Sequence, residues 1–459
     1  MSVYLEPVTR VMSKGRLRRL LAYAHKVFGL DAWLGRISDT RCDPSVPTKL
    51  VSTIVFLVGL LRIRSFNALE PRLAEESWQR LLGVPVREGQ KVCSVDTLAY
   101  SLQRMDPSSV RAMGVGIVKK AERNKVFREG WHAALRYVAI DGWEPHSSRE
   151  RCCSGCLTRT VTTGKGKNKT QVTEYYHRYV VALLLNDKLE VVLDFEPVRS
   201  EDIRKEAGEQ GVDGHEGELT AAKRLVERLH DTYKRWIDVL VCDALYSNGP
   251  FFTLAKECGF GVIAVVKKQT DEPLKEALNL WHGQPPHNIF EDDKKHELIE
   301  LHDARQIQTL STYDGPIRVL KGVVHKTRET KKTKQAEAEK TQSKTSTWCF
   351  AVTGKAMRLP IHKTFQVGRA RWHIENTGFC QWTRYWPFSH VFTHGAKALH
   401  ALLWFFFIAF NLMQLFVYRQ LGGYGRDNGG DVTRTFLRLI DEMRDELARL
   451  AETIIWDSS

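Results

Sequence analysis

The sequence has little of what marks a secreted or disulfide-rich protein. Only nine of its 459 residues are cysteines, and no apolar signal segment stands near Met1. We therefore expect a fold without a disulfide framework, in a reducing compartment. No Gly-Lys-Ser/Thr sequence precedes a predicted helix, so nucleotide hydrolysis is unsupported.

Long apolar runs are also scarce. The one long run covers residues 398–418 and is interrupted by His400, Asn411 and Gln414. Polar groups are costly inside a bilayer, so we predict a buried core helix for this segment. A membrane anchor formed by residues 399–418 is the alternative, and it predicts sedimentation with lipid.

Acidic residues are too few to balance the basic ones. Lys and Arg number 68 against 54 Asp and Glu, which gives a net charge of +14. A polyanion is the simplest partner for this excess, and we predict that the polyanion is nucleic acid. A chain of 459 residues is expected to form two or three domains.

Residues 1–130 are predicted to form an all-helical domain, because they lack an alternating strand pattern. Ser94 is suited to cap a helix that runs to Met105, and a broken helical segment precedes it. This helix-turn-helix order predicts DNA binding, with Arg104 and Lys91 contacting phosphates. A helical packing domain without DNA contacts is the alternative.

Strand patterns begin near residue 135 and follow an informative order. A strand ends at Asp141, and a cysteine- and lysine-rich loop (142–174) separates it from two strands joined by a turn at 186–188. A helix at 219–233, a strand into Asp243, a helix at 250–258 and a strand at 261–267 come next. This order predicts an α/β fold with a ribonuclease H-like mixed sheet.

The predicted core is divided along the sequence. Its first part covers residues 131–267, its last helices cover 365–420, and residues 268–364 between them have the pattern of a β-rich insertion. Within the insertion, residues 325–345 are polar, lysine-rich and aperiodic, which predicts a mobile basic loop. An amphipathic helix is predicted in the C-terminal segment, 421–459.

Three carboxylates stand where a metal site is expected. Asp141 and Asp243 each follow an apolar strand, and Glu375 lies four residues after Arg371 in a predicted helix. Mg²⁺ prefers oxygen ligands, and divalent ions bound by carboxylates assist phosphodiester cleavage. Singly, an aspartate after a strand is often only a turn residue or a helix cap. The three together, in this order of elements, favour a metal site.

A cysteine cluster follows the first aspartate. Cys153 and Cys156 have the spacing of half a tetrahedral zinc site, which thiolate or imidazole ligands complete. His177 is the best-placed completion, and His146 is a substitute. Four protein ligands leave no open position, so the predicted zinc is structural. Free buried thiols are the alternative.

Five short segments carry a resemblance to a known family. They are DGWE at 141–144, YYHR at 175–178, CDALY at 242–246, RWHIEN at 371–376 and AFNL at 409–412. On these segments the chain resembles the bacterial insertion-sequence DDE transposases, with a β-strand insertion ahead of the catalytic glutamate. The first hundred or so residues carry little of the likeness.

The resemblance implies that Asp141, Asp243 and Glu375 form a catalytic triad that binds two Mg²⁺ or Mn²⁺ ions. Arg371 would contact a phosphate oxygen or pair with Glu375 within the helix. Asn376 would orient the glutamate or a metal-bound water.

The sequence departs from the family's Tyr-Arg-Glu-Lys signature at two positions. Gly368 stands where tyrosine is usual, and Trp382 stands where lysine is usual. Trp382 either stacks on an unpaired base or lies in the core. Contacts with the donor DNA end that the family assigns to these two positions are therefore in doubt.

The resemblance also bears on the cysteine-rich loop. Related transposases carry histidine or cysteine directly before the Cys-x-x-Cys pair, and Cys152 fills that position. The expected zinc ligands are therefore Cys152, Cys153, Cys156 and His177. Adjacent cysteines on one ion are geometrically tight, which makes Cys152 the weakest member. The basic residues of the loop, Lys165, Lys167 and Lys169, are expected to bind a DNA backbone.

The implied activity is cleavage and joining of the double-stranded DNA ends of an insertion sequence. The implied setting is a homodimer on DNA, without a membrane partner, in the bacterial cytoplasm at the nucleoid. A nuclease of the same fold, which hydrolyses without joining, is one alternative. A domesticated DNA-binding protein without catalysis is another.

Overall fold

The computed structural model describes residues 15–128, 135–150, 152–164, 166, 169–186, 188–267, 271–293, 295–328, 342–422 and 432–450. Over these residues the protein is an α/β structure with a nine-stranded mixed sheet, a three-stranded antiparallel sheet and many helices. The predicted α/β class and mixed sheet are therefore confirmed.

Helices make up the N-terminal part of the chain, as predicted. They are α1 (Arg16–Phe28), α2 (Leu30–Leu34), α3 (Thr48–Leu60), α4 (Phe66–Leu69), α5 (Glu76–Leu81), α6 (Val95–Arg104) and α7 (Pro107–Arg123). Within residues 15–128 the sole strand-like pairing is an isolated bridge between Asp39 and Met105. Ser94 caps α6, because its side chain accepts a hydrogen bond from the Thr97 N–H at 3.2 Å.

Strands and helices alternate in the middle of the chain. They are β1 (Tyr137–Trp143), β2 (Ser147–Ser148), β3 (Leu157–Thr163), β4 (Thr170–Tyr176), β5 (Tyr179–Leu185), β6 (Val191–Pro197), α8 (Glu201–Glu206), α9 (Glu218–Tyr233), β7 (Val239–Cys242), α10 (Gly249–Glu257) and β8 (Gly261–Val266).

The last part of the chain adds four strands and further helices. They are α11 (Glu272–Leu280), β9 (Asn288–Asp292), β10 (Glu297–Ile307), β11 (Ile317–Arg328), β12 (Gln342–Thr353), α12 (Ile361–Ala370), α13 (Cys380–Tyr385), α14 (Ala396–Gln420) and α15 (Val432–Ala448). A π-helical segment, Ile374–Phe379, lies between α12 and α13.

The large sheet has the strand order β6-β5-β1-β7-β8-β12-β11-β10-β9. Strands β1, β7 and β8 run parallel to one another, and β5 and β6 form an antiparallel pair. The remaining neighbours, β8 with β12, β12 with β11, β11 with β10 and β10 with β9, all pair antiparallel. The small sheet has the order β2-β4-β3. We call this small sheet the ribbon.

Two compact units interleave along the sequence. Unit 1 comprises residues 1–133, 142–221 and 375–459, and unit 2 comprises residues 134–141 and 222–374. Unit 1 thus contains the N-terminal helices, the ribbon and α14. Unit 2 contains the parallel strands β7 and β8 and the antiparallel strands β9 to β12.

Helix α14 forms the core of unit 1, where it packs against α3, α6 and α7. The helix is long and apolar enough to cross a membrane, yet 94% of its most apolar window is buried inside the protein. Asn411, which interrupts the apolar run, accepts a hydrogen bond from the Val192 N–H at 2.9 Å and donates one to the Val192 carbonyl at 2.8 Å. A buried core helix is therefore confirmed for this segment.

Two glycines allow the neighbouring helices to approach α14 closely. A Cβ atom on Gly59 of α3 would lie 2.7 Å from the Phe406 ring, and one on Gly114 of α7 would lie 2.8 Å from the Trp404 ring. Both distances are too short for a methyl group. The large aromatic side chains of α14 therefore pack directly on the backbone of its neighbours.

A buried arginine organises unit 2. Arg318 of β11 is fully buried and pairs with Asp303 of β10, with an Nε–Oδ1 distance of 2.6 Å. Its guanidinium also donates hydrogen bonds to the carbonyl oxygens of Leu359, at 2.7 Å, and Met357, at 3.2 Å. These bonds tie β11 to the segment that leads into α12.

Several elements were not assigned from the sequence. The ribbon occupies the predicted loop 142–174, and α11, β9 and β10 occupy parts of the insertion without a predicted element. The ribbon strands carry polar residues on both faces, so they lack the apolar alternation that reveals a half-buried strand. In the predicted loop 325–345, β11 continues to Arg328 and β12 begins at Gln342; residues 329–341 lie outside the described part.

Candidate active site and cysteine cluster

Asp141 and Asp243 lie at equivalent positions of two neighbouring strands. Ile140 of β1 pairs with Cys242 of β7 in parallel register, and each aspartate is the next residue. Neighbouring strands lie about 4.8 Å apart, so the two aspartates are adjacent at one edge of unit 2. Asp243 directly follows β7, whereas Asp141 lies within β1, which continues to Trp143.

The pKa of the buried Cys242 thiol is influenced by both carboxylates. Burial raises the pKa of Cys242 well above its usual range, and the negative charges of Asp243 and Asp141 raise it further. The thiol is therefore protonated at neutral pH and is unsuited to bind a metal as thiolate.

Asp243 also has the capping role that is common for an aspartate after a strand. Its Oδ1 accepts a hydrogen bond from the Leu245 N–H at 2.8 Å, which caps a short 3₁₀ turn at Ala244–Tyr246. This bond fixes the orientation of the carboxylate. The capping interaction and a metal-binding role are compatible, because a carboxylate has two oxygens with several acceptor sites.

Arg371 contacts Asp141 rather than acting only within its own helix. It lies at the C-terminal end of α12, is 6% exposed, and places its Nη1 2.5 Å from Asp141 Oδ2. The pair joins residues 230 positions apart in the sequence. A buried cation thus neutralises the first aspartate of the predicted triad.

Glu375 and Asn376 lie in the π-helical segment Ile374–Phe379, where a regular helix was predicted. Glu375 is half-buried and Asn376 is exposed. Arg371 is in a turn before this segment, so the regular four-residue spacing that places two side chains on one helix face does not apply. Single-turn π-helices occur frequently at functional sites.

The two positions that depart from the family signature are packed in the interior. A Cβ atom on Gly368 would lie 2.7 Å from the Phe350 ring, which leaves no space for a tyrosine side chain. Trp382 is fully buried, with its ring centroid 4.8 Å from that of Phe407 and 5.3 Å from that of Trp143. Trp382 is therefore a core tryptophan, and stacking on a base is excluded while the core is intact.

A three-ligand cluster forms in the cysteine-rich loop of unit 1. The sulfur atoms of Cys153 and Cys156 are 3.8 Å apart, and His177 Nε2 lies 3.4 Å from the first and 3.5 Å from the second. Among the described residues, these three form the group whose ligand atoms lie close enough to hold a metal ion. Cys152 is exposed and is not part of that group.

The protonation of the cluster suits a metal. The hydrogen bond from the Cys156 thiol lowers the pKa of Cys153 to about 3, and His177 lowers it as well. The same hydrogen bond raises the pKa of Cys156, so the two sulfurs share one proton and Cys153 holds the thiolate form that binds metals.

Some of the basic residues predicted to contact DNA lie in the described part of the chain. Lys165 and Lys167 lie outside the described residues, and Lys169 is exposed directly before β4. In the N-terminal helices, Lys91 pairs with Glu70 at 2.8 Å, and the Arg104 guanidinium lies 3.6 Å from the centre of the Tyr100 ring. The contacts of these basic side chains with DNA stay predictions.

In comparisons with known proteins, no protein-family model and no curated protein matches this chain.

Proposed function

We propose that this protein is a DNA transposase of the DDE type, which cleaves the ends of an insertion sequence and joins them to target DNA. The observation that carries the proposal is the pair Asp141 and Asp243, adjacent in register on two neighbouring parallel strands, with Arg371 bound to Asp141. A ribonuclease H-like fold belongs to the proposal. It is supported by the parallel order of β1, β7 and β8 and by the antiparallel pair β5 and β6 earlier in the chain.

The donor atoms suit Mg²⁺ or Mn²⁺. Asp141 and Asp243 offer carboxylate oxygens, which hard divalent ions prefer, and Cys242 beside them is held in the thiol form. Asp141 already accepts a cation, the guanidinium of Arg371. When bound, two such ions supply charge neutralisation at the scissile phosphate and activation of the attacking hydroxyl.

The third carboxylate is assigned from the sequence. Glu375 follows Arg371 by four residues and corresponds to the glutamate of the family signature. Its half-buried position in a π-helical segment supports this assignment, because such segments are frequent at functional sites. Asn376, next to it, is exposed and is available to hydrogen-bond a DNA phosphate or a bound water.

Each protein group has a distinct role in the proposed reaction. Arg371 holds the orientation of Asp141 and offsets its negative charge, which lowers the repulsion between the aspartates and an incoming phosphate. The Leu245 amide holds the orientation of Asp243. The positive net charge of +14 favours binding of double-stranded DNA, and action on two DNA ends favours a homodimer on that DNA.

The decisive experiment uses the purified protein, Mg²⁺, labelled DNA that carries the genomic flanks of its gene, and a target plasmid. Wild-type protein should cut the labelled DNA and attach it covalently to the plasmid. Asp243→Asn should reduce cleavage by at least about 100-fold, since loss of groups that merely support metal ligands costs about 10–100-fold. DNA binding, measured by gel shift, should be unchanged in this variant.

Asp231→Asn is the matched control, because the Asp231 side chain is 76% exposed and its ion pair is with the exposed Lys234. This variant should cleave and join like wild type. Undiminished cleavage by Asp243→Asn would overturn the assignment of the site. Cutting without joining would identify a nuclease, and binding without cutting by wild type would identify a DNA-binding protein that has lost catalysis.

A further inference from the structure

We propose that Cys153, Cys156, His177 and His146 bind one structural zinc ion that fixes the base of the ribbon in unit 1. This inference does not depend on the proposed DNA chemistry. It concerns a second metal site with a different donor set and a different task.

The spacing of the three clustered ligand atoms is that of a tetrahedral zinc site. Zinc bonds of about 2.3 Å to sulfur and about 2.0–2.1 Å to nitrogen, at tetrahedral angles, place two sulfurs about 3.8 Å apart and sulfur and nitrogen about 3.6 Å apart. The observed distances are 3.8 Å between the sulfurs and 3.4 and 3.5 Å from each sulfur to His177 Nε2. A disulfide, with sulfurs about 2.05 Å apart, is excluded.

The local backbone supports the thiolates as it does in a closed zinc site. The Cys153 N–H donates a hydrogen bond to Cys156 Sγ at 3.3 Å, and the Cys156 N–H donates one to the Cys153 carbonyl at 3.0 Å. The turn between the two cysteines therefore holds both sulfurs on one side. Hydrogen bonds of this kind orient metal ligands and are part of the site.

His146 is the fourth ligand that the structure favours. Its Nδ1 is buried without a hydrogen-bond partner among the described residues, and its ring centroid lies 6.0 Å from that of His177. A buried polar atom without a partner is costly unless something satisfies it, and a metal ion would do so. Neither His146 nor Cys152 belongs to the close group of Cys153, Cys156 and His177, but Cys152 is exposed whereas His146 Nδ1 is buried. The ligand set Cys₂His₂ with tetrahedral spacing is characteristic of zinc.

The position of the ligands explains why the protein needs an ion here. His146 precedes β2, Cys156 precedes β3, and His177 follows β4, so the ligands come together where the three ribbon strands begin or end. The strands meet at this end, since Tyr176 pairs with both Ser147 and Leu157. The ribbon is largely polar on both faces, and a small sheet without an apolar face is marginally stable alone. A bound metal ion that links the ends of the three strands would stabilise the ribbon.

The cluster also touches the rest of unit 1. The Ser200 hydroxyl donates a hydrogen bond to the Ser154 carbonyl, and Gly155 packs so closely on α14 that a Cβ atom there would lie 2.4 Å from Ala396 Cβ. A zinc ion at this place therefore links the ribbon to the core helix. Removing the ion is expected to release the ribbon while leaving α14 in place.

The test measures metal content and does not rely on activity. Protein purified after growth with zinc should contain about one zinc ion per chain, and replacement by Co²⁺ should give the intense visible bands and the thiolate-to-metal absorption of a tetrahedral site. Cys153→Ser, Cys156→Ser and His177→Asn should lose the ion. His146→Asn should lose zinc to a chelator at least about tenfold faster than wild type.

Cys152→Ser is the matched control, since it changes the neighbouring cysteine and should retain one zinc ion. Chelation of wild-type protein should make the ribbon susceptible to trypsin at Arg159 and Lys169 while α14 stays protected. Zinc-free wild-type protein, or a non-tetrahedral cobalt spectrum, would overturn the proposal even if some variants fail to fold. Loss of zinc in Cys152→Ser with full retention in His146→Asn would replace His146 by Cys152 as the fourth ligand.

Discussion

Buried or partly buried arginines pair with three carboxylates of unit 2. Arg371 holds Asp141, Arg318 holds Asp303, and Arg369 holds Glu297, each with at least one contact of 2.7 Å or less. Such pairs contribute mainly because removal of one partner leaves an uncompensated charge in the interior. For Glu297 the pKa is lowered by its arginine, so stability should depend on pH where this carboxylate titrates.

Glu297 gives the clearest pH prediction. The hydrogen bond from Arg369 holds the pKa of this 6% exposed carboxylate below its usual range. Since the folded-state pKa is the lower one, the stabilisation is complete above the unfolded value of about 4.3 and is lost as the pH falls through the folded-state pKa. Glu297→Gln should reduce the free energy of unfolding at pH 7 by about 1.5–3 kcal/mol, with a much smaller difference from wild type in acid.

Urea titrations at neutral and acidic pH measure this effect. Glu291→Gln is the control, because Glu291 is exposed on the neighbouring strand β9, opposite Leu298. It should behave like wild type at both pH values. A pH-independent loss of stability in Glu297→Gln would contradict the linkage.

At the scale of single elements, the local sequence predicts where a helix lies in the chain, whereas contacts with distant residues determine how closely it packs on its neighbours. The apolar pattern predicted α14, and Ser94 predicted the start of α6, because both signals are local. The close approach of α3 and α7 to α14 depends on Gly59 and Gly114, whose partners lie hundreds of residues away. The beginning of α12 likewise depends on Arg318, which lies on β11.

Arg318 and Arg305 offer a matched pair for testing this role of β11. Both contact Asp303, but the Arg318 side chain is fully buried whereas that of Arg305 is 59% exposed. Arg318→Met should lower the free energy of unfolding by about 3–5 kcal/mol, because Asp303 keeps a buried charge and two carbonyl groups near α12 lose their donor. Arg305→Met should cost less than about 1 kcal/mol. Chemical denaturation of both variants measures the difference, and equal losses would show that burial of the guanidinium is unimportant.

At the scale of the whole molecule, one apolar helix and a large positive charge have opposite consequences for membranes. Helix α14 has the length and composition of a membrane span but is covered on nearly all sides by protein. The net charge of +14 would draw the protein to any anionic surface. Association with lipid therefore has to be separated into an apolar and an electrostatic component.

Sedimentation with vesicles makes this separation. With uncharged phosphatidylcholine vesicles the folded protein should stay in the supernatant, because α14 already buries its apolar surface inside the protein. With anionic vesicles any association should disappear as salt is raised, since it is electrostatic. Salt-resistant sedimentation with the uncharged vesicles would show that α14 inserts into lipid.

Part of the candidate site was predictable from local sequence. Asp141 and Asp243 were predicted because each follows an apolar strand, Cys153 and Cys156 because their spacing suits a tetrahedral ion, and His177 because it lies across the loop from them. The ribbon was missed because its polar strands lack an apolar alternation. The sequence predicted either a phosphate or Glu375 as the partner of Arg371, and the structure shows Asp141. Nothing in the local sequence indicates a contact with a residue 230 positions away.

The sequence by itself determined the α/β class, the helical N-terminal segment, the buried helix α14 and the types of side chain available for metal binding. These features follow from composition and from periodicity over a few residues. The tertiary structure determined which residues are in contact. It sets the strand register that places Asp141 beside Asp243, the ion pair between Arg371 and Asp141, and the absence of Cys152 from the close group formed by Cys153, Cys156 and His177. Those choices depend on distances between residues far apart in the chain, which strand pairing and core packing set only once the whole chain has folded.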